Sequence, residues 1–114
     1  MAVIEWDKFN DNFQYYDKGI IIEVIEIFVN EYDDRIRNLQ ENIDEMDFAK
    51  LAFNAHSFKS VIANYMAPKA LELTRKLEDA ANKKEADSIQ QIFIDLKIIS
   101  KELLVELKDY LQKL

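Results

Sequence analysis

Ile20-Ile21-Ile22-Glu23-Val24-Ile25-Glu26-Ile27-Phe28-Val29-Asn30-Glu31-Tyr32 is the stretch on which the fold turns. From Ile22 through Ile25, Val29, Tyr32, Ile36, Leu39, Ile43 and Met46 the apolar positions alternate spacings of three and four, the repeat of one face of an α-helix. Ile21, Val24 and Phe28 widen that face in the first half, and a short neighbouring helix is expected to cover them. The second half carries Asp33, Asp34, Arg35 and Arg37 outward. The pattern ends near Asp44-Glu45, so a single long amphipathic helix is expected here.

Working outward, Trp6, Phe9 and Phe13 predict a short first helix, with a break over Tyr15 to Gly19, because glycine weakens a helix interior. On the other side, Asp47 has the side chain of an N-cap for a third helix from Phe48 to about Asn64 or Tyr65. Leu51, Ala55, Phe58 and Ile62 form its apolar stripe. Pro68 marks the first turn of the next helix, which runs to Asn82 with Ala70, Thr74, Leu77 and Ala81 inward. A last helix begins near Glu85 and keeps a stripe of Ile89, Ile92, Leu96, Ile99, Leu103, Leu107, Tyr110 and Leu114 to the chain's end. Turns this short make neighbours antiparallel. The expected fold is all-α: an antiparallel up-down-up-down four-helix bundle with a short extra N-terminal helix, one domain over residues 1–114. An extended coiled-coil dimer is the rival arrangement for the two long helices.

Composition agrees. Of 114 residues, 49% are hydrophobic and 32% charged, with one glycine and one proline, too few turn formers for a β-rich chain. A net charge of −7 disfavours nucleic acid and anionic membranes, both of which reward clustered Lys and Arg. No eighteen-residue apolar run or signal-peptide pattern stands in the chain, so a cytoplasmic protein is expected. With no cysteine, disulfides, thiol chemistry and cysteine-ligated zinc are excluded. One glycine cannot build a phosphate-cradling loop, and one histidine cannot supply the paired Glu-x-x-His motifs of a di-iron bundle.

That one histidine, His56, is the candidate for chemistry. At about 100° per residue it points roughly 130° away from the Leu51/Ala55/Phe58/Ile62 stripe. Ala49, Ala52, Ser60 and Ala63 share its side of the helix, with Phe53 and Lys59 at the flanks. A partner can therefore approach the ring closely. Lys59, one turn further on, can place an ammonium beside an anion carried on the imidazole. Histidine's ordinary pKa of about 6.5 leaves a neutral, nucleophilic imidazole available near pH 7. Ser60 has no second histidine or acid-base partner to activate it.

Ala55-His56-Ser57-Phe58-Lys59 resembles the Ala-His-x-Leu-Lys-Gly signature of histidine phosphotransfer (HPt) domains, the helical phosphocarriers of multistep two-component phosphorelays. The resemblance extends to an acidic residue opening the histidine helix, at Asp47, and to a Leu-Glu near the end of the following helix, at Leu77-Glu78. It departs at two positions where the family commonly has glycine, Ser60 and Met66; serine is small enough to keep the ring accessible, whereas methionine is expected to alter the turn after the helix. The resemblance implies that His56 accepts a phosphoryl group from a receiver-domain aspartate and passes it to another receiver. It implies Lys59 as the phosphate-stabilising cation and Ala49, Ala52, Phe53, Ser60 and Ala63 as the docking face. The expected partners are receivers of response regulators or of a hybrid sensor kinase. No cofactor of its own is expected, Mg²⁺ and most catalytic groups coming from the receiver, and the chain would be a monomeric carrier, not an enzyme. The competing reading is a bundle that docks signalling partners without accepting phosphate.

Overall fold

The computed structural model describes residues 2–114 and contains five α-helices: α1 (Trp6–Phe13), α2 (Lys18–Asp44), α3 (Phe48–Ile62), α4 (Pro68–Asn82) and α5 (Ala86–Gln112). A 3-10 turn over Ala63–Tyr65 extends α3. Helices α2 to α5 each pack on the next in sequence, and α2 packs on α5, closing the antiparallel four-helix bundle. The stripes expected for α3 and α4 are the buried ones, Leu51, Ala55, Phe58 and Ile62 on one helix and Ala70, Thr74, Leu77 and Ala81 on the other. Phe28 of α2 stacks on Phe58 of α3, and its ring meets the edge of Tyr65, whose hydroxyl donates to the Val24 carbonyl. Tyr32 and Ser100 share a buried hydrogen bond of 2.8 Å that fixes α2 against α5.

The turns form without glycine. After α2, Met46 takes the left-handed conformation at φ 54°, and its N–H and that of Asp47 return to the carbonyls of Ile43 and Asn42. Lys84 at φ 56° repeats this pattern after α4, with bonds to Ala81 and Ala80. Both are Schellman closures. Met66 at φ 55° turns the chain between the 3-10 segment and α4, so methionine at that position bends the backbone as a glycine would. Side chains in this region carry a steric cost of about 1–2 kcal/mol each. Met46, placed in the α2 stripe by periodicity, is instead a largely exposed turn residue.

One further expectation is corrected in part. The break expected over Tyr15 to Gly19 is present between Phe13 and Lys18, but Gly19 does not make it: Asp17 caps α2 by accepting the Gly19 N–H, and the glycine sits in the first helical turn, where its backbone is ordinary. Helix α1 packs on the last turns of α5, and its Phe9 and Phe13 join the same buried cluster as Ile21 and Ile25 of α2. Trp6 stacks on Tyr110 of α5 at 5.3 Å, Phe9 meets the same ring, and the helix borders the 3-10 turn. Glu106 of α5 accepts the N–H groups of Val3 and Ile4, and the Glu5 N–H donates to the Met66 carbonyl, so the N-terminal segment is pinned by backbone bonds as well as by its rings.

Candidate functional site

The rotation of α3 sets the site. Because Leu51, Ala55, Phe58 and Ile62 are all essentially inaccessible, the helix must turn His56 outward, and its side chain is 60% exposed. Asp47 holds the start of α3 by accepting the Lys50 N–H at 3.1 Å. Across the groove, Leu77 is wholly buried, which turns its neighbour Glu78 from the core toward α3. The densest helix pairing in the molecule, α3 on α4, thus brings a carboxylate to the imidazole.

Glu78 makes two bonds. Its Oε2 lies 2.9 Å from His56 Nδ1, and its Oε1 accepts from Lys59 Nζ at 2.6 Å. The Lys59 hydrogen bond holds the Glu78 carboxyl below the ordinary value of 4.5; partial burial pushes the other way, and the His56 bond lowers it further. An ionised carboxylate can only accept, so the shared proton belongs to Nδ1 and the lone pair of the neutral ring is left on Nε2. The ring is thereby oriented as well as assigned a tautomer. Nε2 is the atom that can act as a nucleophile.

The residues expected to form the docking face are spread along α3 and its 3-10 extension. Ala49, Ser60 and Ala63 are exposed, Ala52 is half-buried against the edge of the core, and Phe53 is 74% exposed on the same outer face. Ser60 is occupied by its own helix, its hydroxyl donating to the His56 carbonyl. Lys59, expected one turn from the ring, is engaged with Glu78 and only 27% exposed. Glu78 itself is the residue that single-helix reasoning passed over. The Leu77-Glu78 pair was the available signal, but as one more glutamate on an amphipathic helix it reads as solvated surface.

On the other side of α3, Arg35 donates to Ser57 Oγ and to Glu31, and Asn54 donates to Asn42. These bonds fix α3 against α2 and leave the His56 face clear. Among the described residues no three His, Cys, Asp or Glu side chains gather closely enough to hold a metal ion, and no helix is long and apolar enough to cross a membrane.

No curated protein matches this sequence. The crystal structure of histidine-containing phosphotransfer protein B (HptB) from Pseudomonas aeruginosa PAO1 superposes with a TM-score of 0.88, covering 95% of this chain and 94% of that chain at 20% sequence identity. At that identity the likeness speaks for the bundle. The family itself is given by sequence: a model of the Hpt domain matches residues 23–114, the span from α2 to the chain's end that contains His56, Lys59 and Glu78, so the chain belongs to the Hpt family, the histidine phosphotransfer domains that work with receiver domains in phosphorelays.

Proposed function

We propose that His56 is the phosphoacceptor and that the chain is a single-domain cytoplasmic carrier, moving a phosphoryl group between receiver aspartates. The observation that supports this most strongly is the outward imidazole, 60% exposed, whose Nδ1 is held by Glu78 at 2.9 Å so that Nε2 keeps the lone pair of the neutral ring. In the transfer, the Nε2 lone pair forms the N–P bond as the P–O bond to the receiver aspartate breaks, and the aspartate leaves as a carboxylate. Nδ1 keeps its proton throughout, so the phosphorylated ring becomes cationic. The Glu78 carboxylate, already ionised, faces that developing charge. Return of the group to a second aspartate reverses the same step.

This chain contributes the nucleophile, its orientation and a close-approach face; such transfers rest mainly on positioning and charge neutralisation. Lys59 is the cation nearest the ring, one turn along α3 and held against Glu78 in the resting protein. By turning its ammonium from Glu78 to the phosphoryl oxygens it would offset part of their charge. Ala49, Ala52, Ser60 and Ala63 admit a receiver to the ring, and exposed Phe53 offers an apolar contact beside it. The divalent cation and the remaining catalytic groups are assigned to the receiver, and the chain is a carrier with no reaction of its own.

The test is labelling from a phosphorylated receiver. The label should be acid-labile and alkali-stable, as expected of phosphohistidine, and should vanish in His56→Gln with the melting temperature kept, because the side chain leaves no cavity. Retained label in that variant would move the acceptor elsewhere.

A further inference from the structure

Helix α5 carries a second apolar stripe that the bundle does not use. Ile94, Ile98 and Val105 are between 45% and 56% exposed. At about 100° per residue they fall within roughly 40° of one another, on the side of α5 opposite Leu96, Leu103 and Leu107. Single exposed aliphatics are ordinary, but three aligned over twelve residues of one helix are a seam. Helix α5 packs on α4 and α2, with α3 diagonally across the bundle, so the stripe points away from His56.

The flanks of the stripe carry opposite charges. On the α2 side run Lys97 and Lys101, continued by Lys108; on the α4 side run Asp95 and Glu102, continued by Asp109. Lys101, which falls between Ile98 and Val105 along the helix, has its ammonium over the Tyr32 ring of α2, 5.9 Å from the centroid, and so carries its charge off the seam. We propose that this face is a self-association surface, on which two copies of the chain pair through parallel α5 helices. When two such helices lie parallel, the basic flank of each meets the acidic flank of the other, and Lys97 of one copy comes opposite Glu102 of the second at the i to i+5 offset of a parallel helix pair. An antiparallel pair would set lysines against lysines. A second copy is the occupant whose surface supplies both the matching aliphatics and the complementary rows. The arrangement leaves both His56 faces open, so a dimer would carry two independent acceptors. It departs from the monomer expected from the sequence.

Three aliphatic side chains per copy make a small interface, so the dimer is weak, and sedimentation equilibrium should span about 10 μM to 1 mM. The wild-type protein should shift toward dimer across that range. Ile98→Glu should weaken association at least tenfold with unchanged melting temperature, since Ile98 is exposed in the monomer. Lys97→Glu should weaken it severalfold, and the double exchange Lys97→Glu with Glu102→Lys should restore it. A protein that stays monomeric to the top of the range overturns the proposal, as does a dimer indifferent to Ile98→Glu. Tighter association of Lys97→Glu would show that like rows meet, and would overturn the parallel arrangement.

Discussion

Removing Glu78 is the perturbation that reaches furthest into the site, because one carboxylate holds both the imidazole of His56, the proposed acceptor, and the ammonium of Lys59. In Glu78→Ala, Nδ1–H loses its acceptor and the ring is free to rotate and to carry its proton on Nε2, which removes the lone pair from the reacting position. A hydrogen bond to a charged group contributes about 1.5–3 kcal/mol, and with His56 60% exposed the lower end applies. Single-turnover transfer from a phosphorylated receiver should therefore slow about tenfold, the equivalent of ~1.4 kcal/mol. Glu78→Gln keeps an acceptor for Nδ1–H and should recover part of the rate. Nitrogen NMR of the imidazole supplies a readout that a general loss of structure would not mimic: the share of ring protonated on Nε2 should rise in Glu78→Ala and stay low in Glu78→Gln. Acid supplies a second. Because the folded-state pKa of Glu78 is lowered from 4.5, its ionised form contributes stability that is present above the unfolded value and lost as pH falls through the lowered one. The stability gap between wild type and Glu78→Gln should hence be flat above pH 4.5 and close below it. Wild-type transfer by Glu78→Ala with Nδ1 still protonated would refute the reasoning.

Lys59→Ala should slow transfer about tenfold, the ~1.4 kcal/mol of one positioned and partly screened charge, and in a double-mutant cycle its effect should differ once Glu78 is gone, because the two side chains are bonded in the resting state; additive rates would separate their roles. Phe53→Ala should leave the melting temperature unchanged, given 74% exposure, and raise the receiver concentration needed for half-maximal transfer severalfold, while Ala63→Arg should block transfer with the fold intact; wild-type kinetics in both would misplace the docking face. Gly19→Ala should stabilise the protein by about 0.5–1 kcal/mol, since an added Cβ meets nothing within 4 Å, and Lys84→Gly should add about as much by relieving a left-handed lysine; thermal melts of the two variants decide both.

How far the fold could be read from the chain depended on how one-sided each helix is. In α3 and α4 the apolar residues lie on a single face, and their stripes translate directly into burial. Helix α5 carries apolar residues on two faces, with charged rows between them. Its inward line is Ile89, Phe93, Leu96, Ser100, Leu103, Leu104 and Leu107, rotated from the expected one, so that Ile92 and Ile99 are only half-buried, while Leu114 lies past the end of the helix and is exposed. A residue type cannot report which of two apolar faces meets the bundle. The docking of α1 on α5 was illegible for a different reason, since Tyr110, the ring that receives Trp6 and Phe9, stands about a hundred residues away in sequence. Turn chemistry misled in both directions: the glycine is helical, and Met46, Met66 and Lys84 take the left-handed positions where glycine is usual. Packing of four apolar faces evidently outweighs three such local costs.

The site divides along the same line. His56, Lys59 and the small residues around them lie on one helix, so a spacing argument places them without knowledge of any neighbour, and the exposed ring follows from a buried stripe. Glu78 belongs to another helix, and its meaning depends on the register between the two. Leu77 fixes that register from below by entering the core, whereas Lys59 fixes it from above by bonding the carboxylate at 2.6 Å. A one-residue shift of α4 would carry Glu78 about 100° around its helix and away from the ring. The Nδ1-protonated tautomer of His56 is therefore a property of the α3–α4 packing, and on the proposed role mutations that loosen this packing should reduce transfer before they unfold the protein. Leu77→Ala is the sharpest case. It should cost about 2–5 kcal/mol of stability, and in the fraction that remains folded the Nδ1 proton should be less well held than in wild type. If Leu77→Ala transfers at the wild-type rate per folded molecule, the carboxylate does not need the register that the core imposes on it.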